Sequence, residues 1–160
     1  MKVLILSDSH GYNQNMWQAM NIEKPYDAVV HCGDFGDDLE EIRYRAGAPV
    51  YAVKGNNDYF SDAPRVNLFE LCGRKILVVH GDRDGAHSGC DRLIYKGLEN
   101  GASIVMFGHT HCPYINTLEG ITLINPGSLT YPRQDKHIPT YAVLNIENDG
   151  KYTAEIKYMC

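Results

Sequence analysis

What the sequence lacks narrows it first. Its five cysteines are an odd number with no C-x-x-C pair, so no disulfide framework is expected, and reduced thiols in a cytoplasmic protein are. No apolar run approaches the ~18 residues of a membrane span, and the opening run is too short for a signal peptide and lacks a cleavage site. No basic stripe exists either. Lys and Arg come singly or in pairs, as at Arg43 and Arg45 or Arg74 and Lys75, and the formal net charge of −5 argues against a nucleic-acid partner. No linker, repeat or low-complexity tract divides the chain. What remains is an ordinary globular composition, 44% hydrophobic and 22% charged over 160 residues, suited to a single domain spanning 1–160 with a proper core.

The organising stretch is the first ten residues. An apolar run from Val3 to Leu6 stops at Asp8 and His10, with Gly11 behind them. A short Val/Ile/Leu run bounded by a turn residue predicts a buried strand. If the chain stays extended, residues two apart share a side, and Asp8 and His10 point together from the strand's C-terminal edge, where ligands of open α/β sheets gather.

Asn13 can cap a following helix that carries Met16, Trp17 and Met20 and ends before Pro25. Tyr26 to His31 reads as a second strand running into Cys32-Gly33-Asp34, Asp37 to Arg45 as a short acidic helix, and Val50 to Val53 as a third strand ending in Gly55-Asn56-Asn57-Asp58. Strand–helix alternation of this kind predicts a parallel sheet. Arg65 to Leu71 and Lys75 to Val79 then predict a hairpin about Cys72-Gly73, leading to His80-Gly81-Asp82. A helix from about Ser88 to Leu98 and a strand from Ile104 to Phe107 follow, the latter ending in Gly108-His109-Thr110-His111. From Pro113 the pattern predicts antiparallel strands at Tyr114 to Leu118, Ile121 to Ile124, Tyr141 to Ile146 and Tyr152 to Tyr158.

Five strand ends thus deliver Asp8-x-His10, Gly33-Asp34, Gly55-Asn56, His80-Gly81 and Gly108-His109-x-His111. Singly, each is an ordinary turn, and a lone His such as His80 is more often a satisfied polar group than a ligand. Together they supply three oxygen donors (Asp8, Asp34, Asn56) and four imidazoles (His10, His80, His109, His111), too many for one ion and suited to two. Mixed nitrogen and oxygen ligation without thiolate favours Mn, Fe, Ni or Zn over Mg or Ca. Cys32 and Cys112 lie beside candidate ligands but take a packing role first, and His31 and His87 are read as structural or surface residues.

The set D-x-H, G-D, G-N-x-D, H and G-H-x-H, in this order, resembles the calcineurin-like metallophosphoesterase superfamily over essentially the whole chain. Its short length and Asn125-Pro126-Gly127-Ser128 look like the compact, uncapped bacterial and archaeal phosphodiesterase branch. The resemblance implies an α/β fold in which two mixed β-sheets pack as a sandwich flanked by helices. It implies two divalent transition-metal ions, with Mn first and Ni, Fe or Zn as alternatives. One would be held by Asp8, His10, Asp34 and His111, the other by Asp34, Asn56, His80 and His109, with Asp34 bridging. Asn56, Asn57 and Asp58 would form the catalytic segment. Two positions depart from the superfamily pattern: Asn57 stands where most members have His, and Asp82 where compact relatives often have a second His.

Two cations ~3.5–4 Å apart clamp an in-line displacement at phosphorus and lower the pKa of a bound water so that hydroxide attacks near neutral pH. Their mutual repulsion calls for a shared carboxylate. The expected function is therefore hydrolysis of a small phosphate ester, a phosphodiester first, by a cytoplasmic enzyme with no membrane or nucleic-acid partner and with self-association left open. Two alternatives stand beside it: a phosphomonoesterase, and a non-catalytic protein-binding scaffold like the eukaryotic retromer subunit of this fold.

Overall fold

Alternating strands and helices in the first third of the chain build one sheet, and the middle builds a second. The computed structural model describes residues 1–37 and 39–160. The chain runs β1 (Lys2–Leu6), α1 (Gln14–Glu23), β2 (Ala28–His31), α2 (Leu39–Ala46), β3 (Val50–Ala52), β4 (Val66–Leu71), β5 (Arg74–Val79), α3 (Asp91–Glu99), β6 (Ile104–Met106), β7 (Pro113–Leu118), β8 (Ile121–Pro126), β9 (Thr140–Ile146) and β10 (Tyr152–Tyr158). The acidic helix expected from Asp37 begins at Leu39, and residue 38 of that expectation lies outside the described residues. Asn13 stands at the N-cap of α1, but its side chain makes no capping hydrogen bond.

The first sheet has the order β10-β9-β1-β2-β3 and the second β4-β5-β6-β8-β7. In the first, β1, β2 and β3 are parallel, while β9 and β10 add antiparallel. In the second, β5, β6 and β8 are parallel, flanked by antiparallel β4 and β7. The antiparallel pairing expected among the strands beyond Pro113 is present, with one parallel contact added to an earlier strand. The β7–β8 hairpin is antiparallel within itself, but its second strand lies alongside β6 in parallel. A continuous apolar run such as Ile121 to Ile124, buried on both faces, suits an interior strand of either kind, so its pairing partner was not legible locally.

Both tight hairpins turn through two left-handed residues, Cys72 (φ 47°) with Gly73 (φ 74°) and Glu119 (φ 52°) with Gly120 (φ 76°). Positive φ at both central residues gives the turn whose twist matches the flanking strands. Helix α3 starts at Asp91 rather than Ser88 because the preceding segment turns through left-handed Gly85 and Gly89.

Period-two alternation sorts the strand side chains into layers. Val3, Ile5, Ala28 and Val30 of the first sheet meet Ile76, Val78, Ile104, Met106 and Ile124 of the second between the sheets. Leu4, Leu6 and Val29 point the other way, onto Met16, Ala19 and Met20 of α1 and Ile42 of α2. Leu77, Val79, Val105 and Leu123 cover Leu93 and Ile94 of α3. The result is two mixed five-stranded sheets between outer helices, as the sequence predicts. Among the described residues no helix is long and apolar enough to cross a membrane.

Ile104 is fully buried between the sheets. Ile104→Ala is expected to cost about 2–5 kcal/mol of unfolding free energy in urea, whereas Tyr44→Ala on the surface should stay within about 0.5 kcal/mol. A loss at Ile104 below about 1 kcal/mol would mean that the inter-sheet layer is not close-packed.

Candidate metal centre

The parallel strands β1, β2, β3, β5 and β6 all end at the same edge of the sandwich, and their connecting loops meet there. The backbone itself joins them. Asp8 N–H donates to Gly33 O at 3.0 Å and His10 N–H to Asp34 O at 2.8 Å, tying the loops after β1 and β2. Gly108 N–H donates to His80 O at 2.9 Å, tying those after β5 and β6. Ser128 Oγ, beyond β8, donates to Asp8 O at 2.9 Å.

Five residues here hold left-handed backbone: Asp8 (φ 54°), His10 (φ 50°), Asp34 (φ 56°), His109 (φ 68°) and His111 (φ 59°). Such conformations are uncommon outside glycine and cost on the order of 1–3 kcal/mol each, so their clustering marks a functional region. Asp8 and His10 therefore converge through a turn, because β1 has already ended at Leu6; strand alternation is not what aligns them. Two glycines admit the carboxylates. A Cβ on Gly55 would lie 2.0 Å from Asp34 Oδ1, and one on Gly108 would lie 2.0 Å from Ser7 Oγ and 2.6 Å from Asp8 Oδ2.

Around Asp8, the Oδ1 atom stands 3.1 Å from His111 Nε2 and 3.8 Å from His10 Nε2, and the two imidazole nitrogens are 3.3 Å apart. His111 Nδ1–H donates to Tyr131 O at 2.8 Å, so in the neutral ring Nε2 carries a bare lone pair. Asp8 Oδ2 is satisfied by Ser7 Oγ–H and by His109 N–H at 3.1 Å. Asp8 Oδ1 is buried and has no aligned hydrogen-bond donor among the described residues. A buried carboxylate oxygen and two imidazole nitrogens thus converge on one point, a donor set that fits a cation.

A second convergence lies across Asp34. His80 Nδ1–H donates to Cys32 O at 2.7 Å, and Nε2 faces Asn56 Oδ1 at 3.0 Å and Asp34 Oδ2 at 3.5 Å. Asp34 Oδ2 is also 3.7 Å from His10 Nε2, so this oxygen stands between an imidazole of each group. The donor atoms of Asp8, His10 and His111 lie within 4.8 Å of one another, as do those of Asp8, Asp34 and His80. The carbonyls of Cys32 and Tyr131 fix the tautomers that aim Nε2 inward, as outer partners of metal-binding histidines do.

The charges follow. Burial works to raise the Asp8 carboxyl, but His111 and His80 beside it hold it below the usual range. Burial likewise opposes ionisation of Asp34, yet His80 and the two Asn57 donors hold it well below that range. Burial alone would lower the His80 imidazole, but the Asp34 and Asp8 carboxylates push it up to about 9.

The seven candidate ligands are therefore brought to one end of the sandwich. His109 is the least tightly gathered, its ring centroid standing 5.1 Å from that of His80. Asn57 is spent on Asp34, donating from N–H to Oδ1 at 2.9 Å and from Nδ2 to Oδ2 at 2.7 Å. Asp58 turns into the loop. Its carboxylate accepts N–H donors of Asp34 (2.8 Å), Gly36 (2.8 Å) and Gly55 (2.7 Å). His31 is buried on the helix side of β2, edge-on to Phe35, and burial pulls it down to about 4. His87, read from the sequence as a structural or surface residue, is exposed, and its ring lies 4.8 Å from that of His109.

Comparison with known proteins adds a separate line. Residues 1–149 match the model of the calcineurin-like phosphoesterase superfamily domain. The chain is 39% identical over 151 residues to the probable metallophosphoesterase YsnB of Bacillus subtilis, covering 94% of this chain and 87% of that one. It is 28% identical over 165 residues to the phosphodiesterase MJ0936 of Methanocaldococcus jannaschii, covering 92% and 94%. The solved structure of a Vps29 single mutant from Entamoeba histolytica superposes with a TM-score of 0.80 over 100% of both chains at 22% identity, a likeness of fold alone.

In the metal-free protein, His80 keeps its proton through neutral pH because it is pushed up to about 9. A cation takes Nε2 only as that proton leaves. Mn affinity measured by calorimetry should rise about 10-fold per pH unit and level off above about 9, with proton release into the buffer. A flat affinity from about pH 6.5 to 8.5 would remove His80 from the ligand set.

Proposed function

The chain belongs to the calcineurin-like phosphoesterase superfamily, and from that premise we propose that it is a phosphodiesterase dependent on two divalent transition-metal cations, Mn being the first candidate. The observation that carries the reading is the convergence of Asp8 Oδ1, His10 Nε2 and His111 Nε2, atoms of metal-ligating type within 3.1–3.8 Å with no aligned donor for Asp8 Oδ1 among the described residues. Asp8, His10, Asp34 and His111 would hold one cation, and Asp34, Asn56, His80 and His109 the other. Bound there, the pair would supply positive charge to the phosphoryl oxygens and a water of lowered pKa. The phosphodiesterase name of the M. jannaschii relative supports the diester over the monoester.

The chain's own groups then divide the remaining work. Asp34 presents Oδ2 between His10 and His80, at 3.7 and 3.5 Å, and is the bridging carboxylate. Asn57 fixes that carboxylate through two donors. Asp58 holds the loop through three backbone N–H groups and is a positioning residue. Neither supplies a proton to the departing oxygen, since an amide has none to give near neutral pH and the Asp58 oxygens face backbone donors.

Asp34→Asn removes the shared negative charge, so bound Mn should drop from two equivalents to one or fewer, with diester hydrolysis falling in parallel. His10→Ala should lose less of both. Elemental analysis after gel filtration decides it, and two full equivalents in Asp34→Asn would overturn the bridge. Chelation should abolish turnover and Mn restore it.

A missing acid also has a kinetic signature. A general acid is worth ~10²–10⁴ in rate where the leaving group is poor. Wild-type kcat/KM should therefore fall steeply from aryl to alkyl diesters, and Asn57→His should speed the alkyl substrate more. Equal factors for both substrates would refute the missing-acid argument.

A further inference from the structure

Four strongly exposed aromatic residues, Tyr12, Tyr59, Phe60 and Tyr131, are 66%, 78%, 92% and 48% exposed and lie in loops that carry or adjoin candidate ligands. Single exposed aromatics are ordinary on a protein surface. Tyr12 and Tyr131 differ because they are built into the centre. The Tyr131 ring stands 5.4 Å from the His10 imidazole at 66°, and the Tyr12 ring stands 6.0 Å from that of Tyr131 at 85°.

Hydrogen bonds fix both in register with the candidate ligands. Ser128 Oγ accepts Tyr131 N–H at 2.8 Å while donating to Asp8 O at 2.9 Å. Tyr131 O accepts His111 Nδ1–H at 2.8 Å. Thr130 Oγ1 lies 2.9 Å from Ser9 O and 3.2 Å from Tyr12 O, which closes the loop of Tyr131 onto that of Tyr12. The backbone that carries both rings is thus held at a defined place, and the rings stand exposed against each other and His10. Folding gains little from that arrangement, whereas a ligand with a flat apolar face gains a preorganised wall.

We propose that Tyr131 and Tyr12 form a stacking subsite for a planar aromatic group carried on the phosphate ester, which makes nucleoside phosphodiesters the substrate class. This rests on the phosphoesterase reading above, with the phosphorus at the metal centre and the ring reaching past His10 to the tyrosines. Stacking on a π-face tolerates every base, so the subsite selects for a base without selecting among bases. A phenyl ester offers the same flat ring without the sugar, and the test separates the two.

The experiment measures binding of thymidine 5′-phosphate, phenyl phosphate and methyl phosphate to the Mn-loaded protein by calorimetry. All three carry the same phosphate headgroup, so the metal contribution cancels in the ratios. Wild type should bind thymidine 5′-phosphate about 10-fold more tightly than methyl phosphate, in line with stacking on one aromatic side chain. That ratio should collapse towards one in Tyr131→Leu and in Tyr12→Leu and persist in Tyr131→Phe, which keeps the ring. Leu at position 131 retains the carbonyl that orients His111, and a circular dichroism melt matching wild type confirms the fold.

A larger advantage for phenyl phosphate than for thymidine 5′-phosphate would overturn the nucleoside assignment. Equal binding of all three esters, or an advantage that survives both leucine variants, would overturn the subsite. If the protein hydrolyses no diester yet shows the ring advantage, the phosphodiesterase reading fails and the subsite stands. Binding of none of the three overturns the subsite, and diester turnover then decides the phosphodiesterase reading by itself.

Discussion

Two carboxylates, Asp8 and Asp34, buried to within 2% of complete enclosure, are the constraint that the rest of the structure answers. An ionised carboxylate taken out of water costs several kcal/mol unless donors or charges replace the lost solvation. Three of the four oxygens have aligned donors: Ser7 and His109 N–H at Asp8 Oδ2, and Asn57 at both oxygens of Asp34. The fourth, Asp8 Oδ1, has none among the described residues. In the metal-free protein, a proton on His80 offsets only part of the pair's charge. A cation answers the same need more strongly, which is why the geometry and the electrostatics point to one chemistry.

Neither sheet meets this constraint alone. Asp8, His10 and Asp34 follow strands of the first sheet, while His80, His109 and His111 follow strands of the second. The inter-sheet layer of Val3, Ile5, Val30, Val78, Ile104 and Met106 sets the spacing between the two halves. The strained left-handed residues at the strand ends persist because that layer and the cross-loop hydrogen bonds over-determine them. A metal that binds both halves therefore favours the docked sheets over any partly opened state.

Much of this was legible because strand ends in a parallel sheet have a sequence signature. Short apolar runs stopping at Gly-Asp, Gly-Asn, His-Gly or Gly-His gave both the strands and the polar residues they deliver. Cys72-Gly73 and Glu119-Gly120 marked the tight hairpins. Less visible was everything carried by the backbone. The carbonyls of Cys32 and Tyr131 that aim His80 and His111 belong to residues whose side chains carry no hint of the task. The parallel neighbour of β8 depends on a partner far away in sequence. The convergence of Asp8 and His10 was expected from alternation but arises from two positive φ angles, which Asp and His tolerate better than most residues.

Position 57 shows how residue type and orientation must be read together. By type, Asn in place of His removes a proton donor from the loop. By geometry, it adds a second bond to Asp34, because backbone N–H and side-chain Nδ2 take one carboxylate oxygen each at 2.9 and 2.7 Å. Two donors on one carboxylate favour its ionised form and resist its rotation. A histidine N–H directed at Asp34 would not be available to a leaving oxygen, and one directed at the leaving oxygen would release Asp34 Oδ2 and leave the backbone N–H alone on Oδ1. The loop therefore cannot maximise both a rigid bridge and an acid. Asp58, buried and bound by three backbone donors, keeps the loop in the form that favours the bridge. The chain has settled on holding its central carboxylate firmly, and under the proposed phosphodiesterase activity a preference for good leaving groups would follow from that choice.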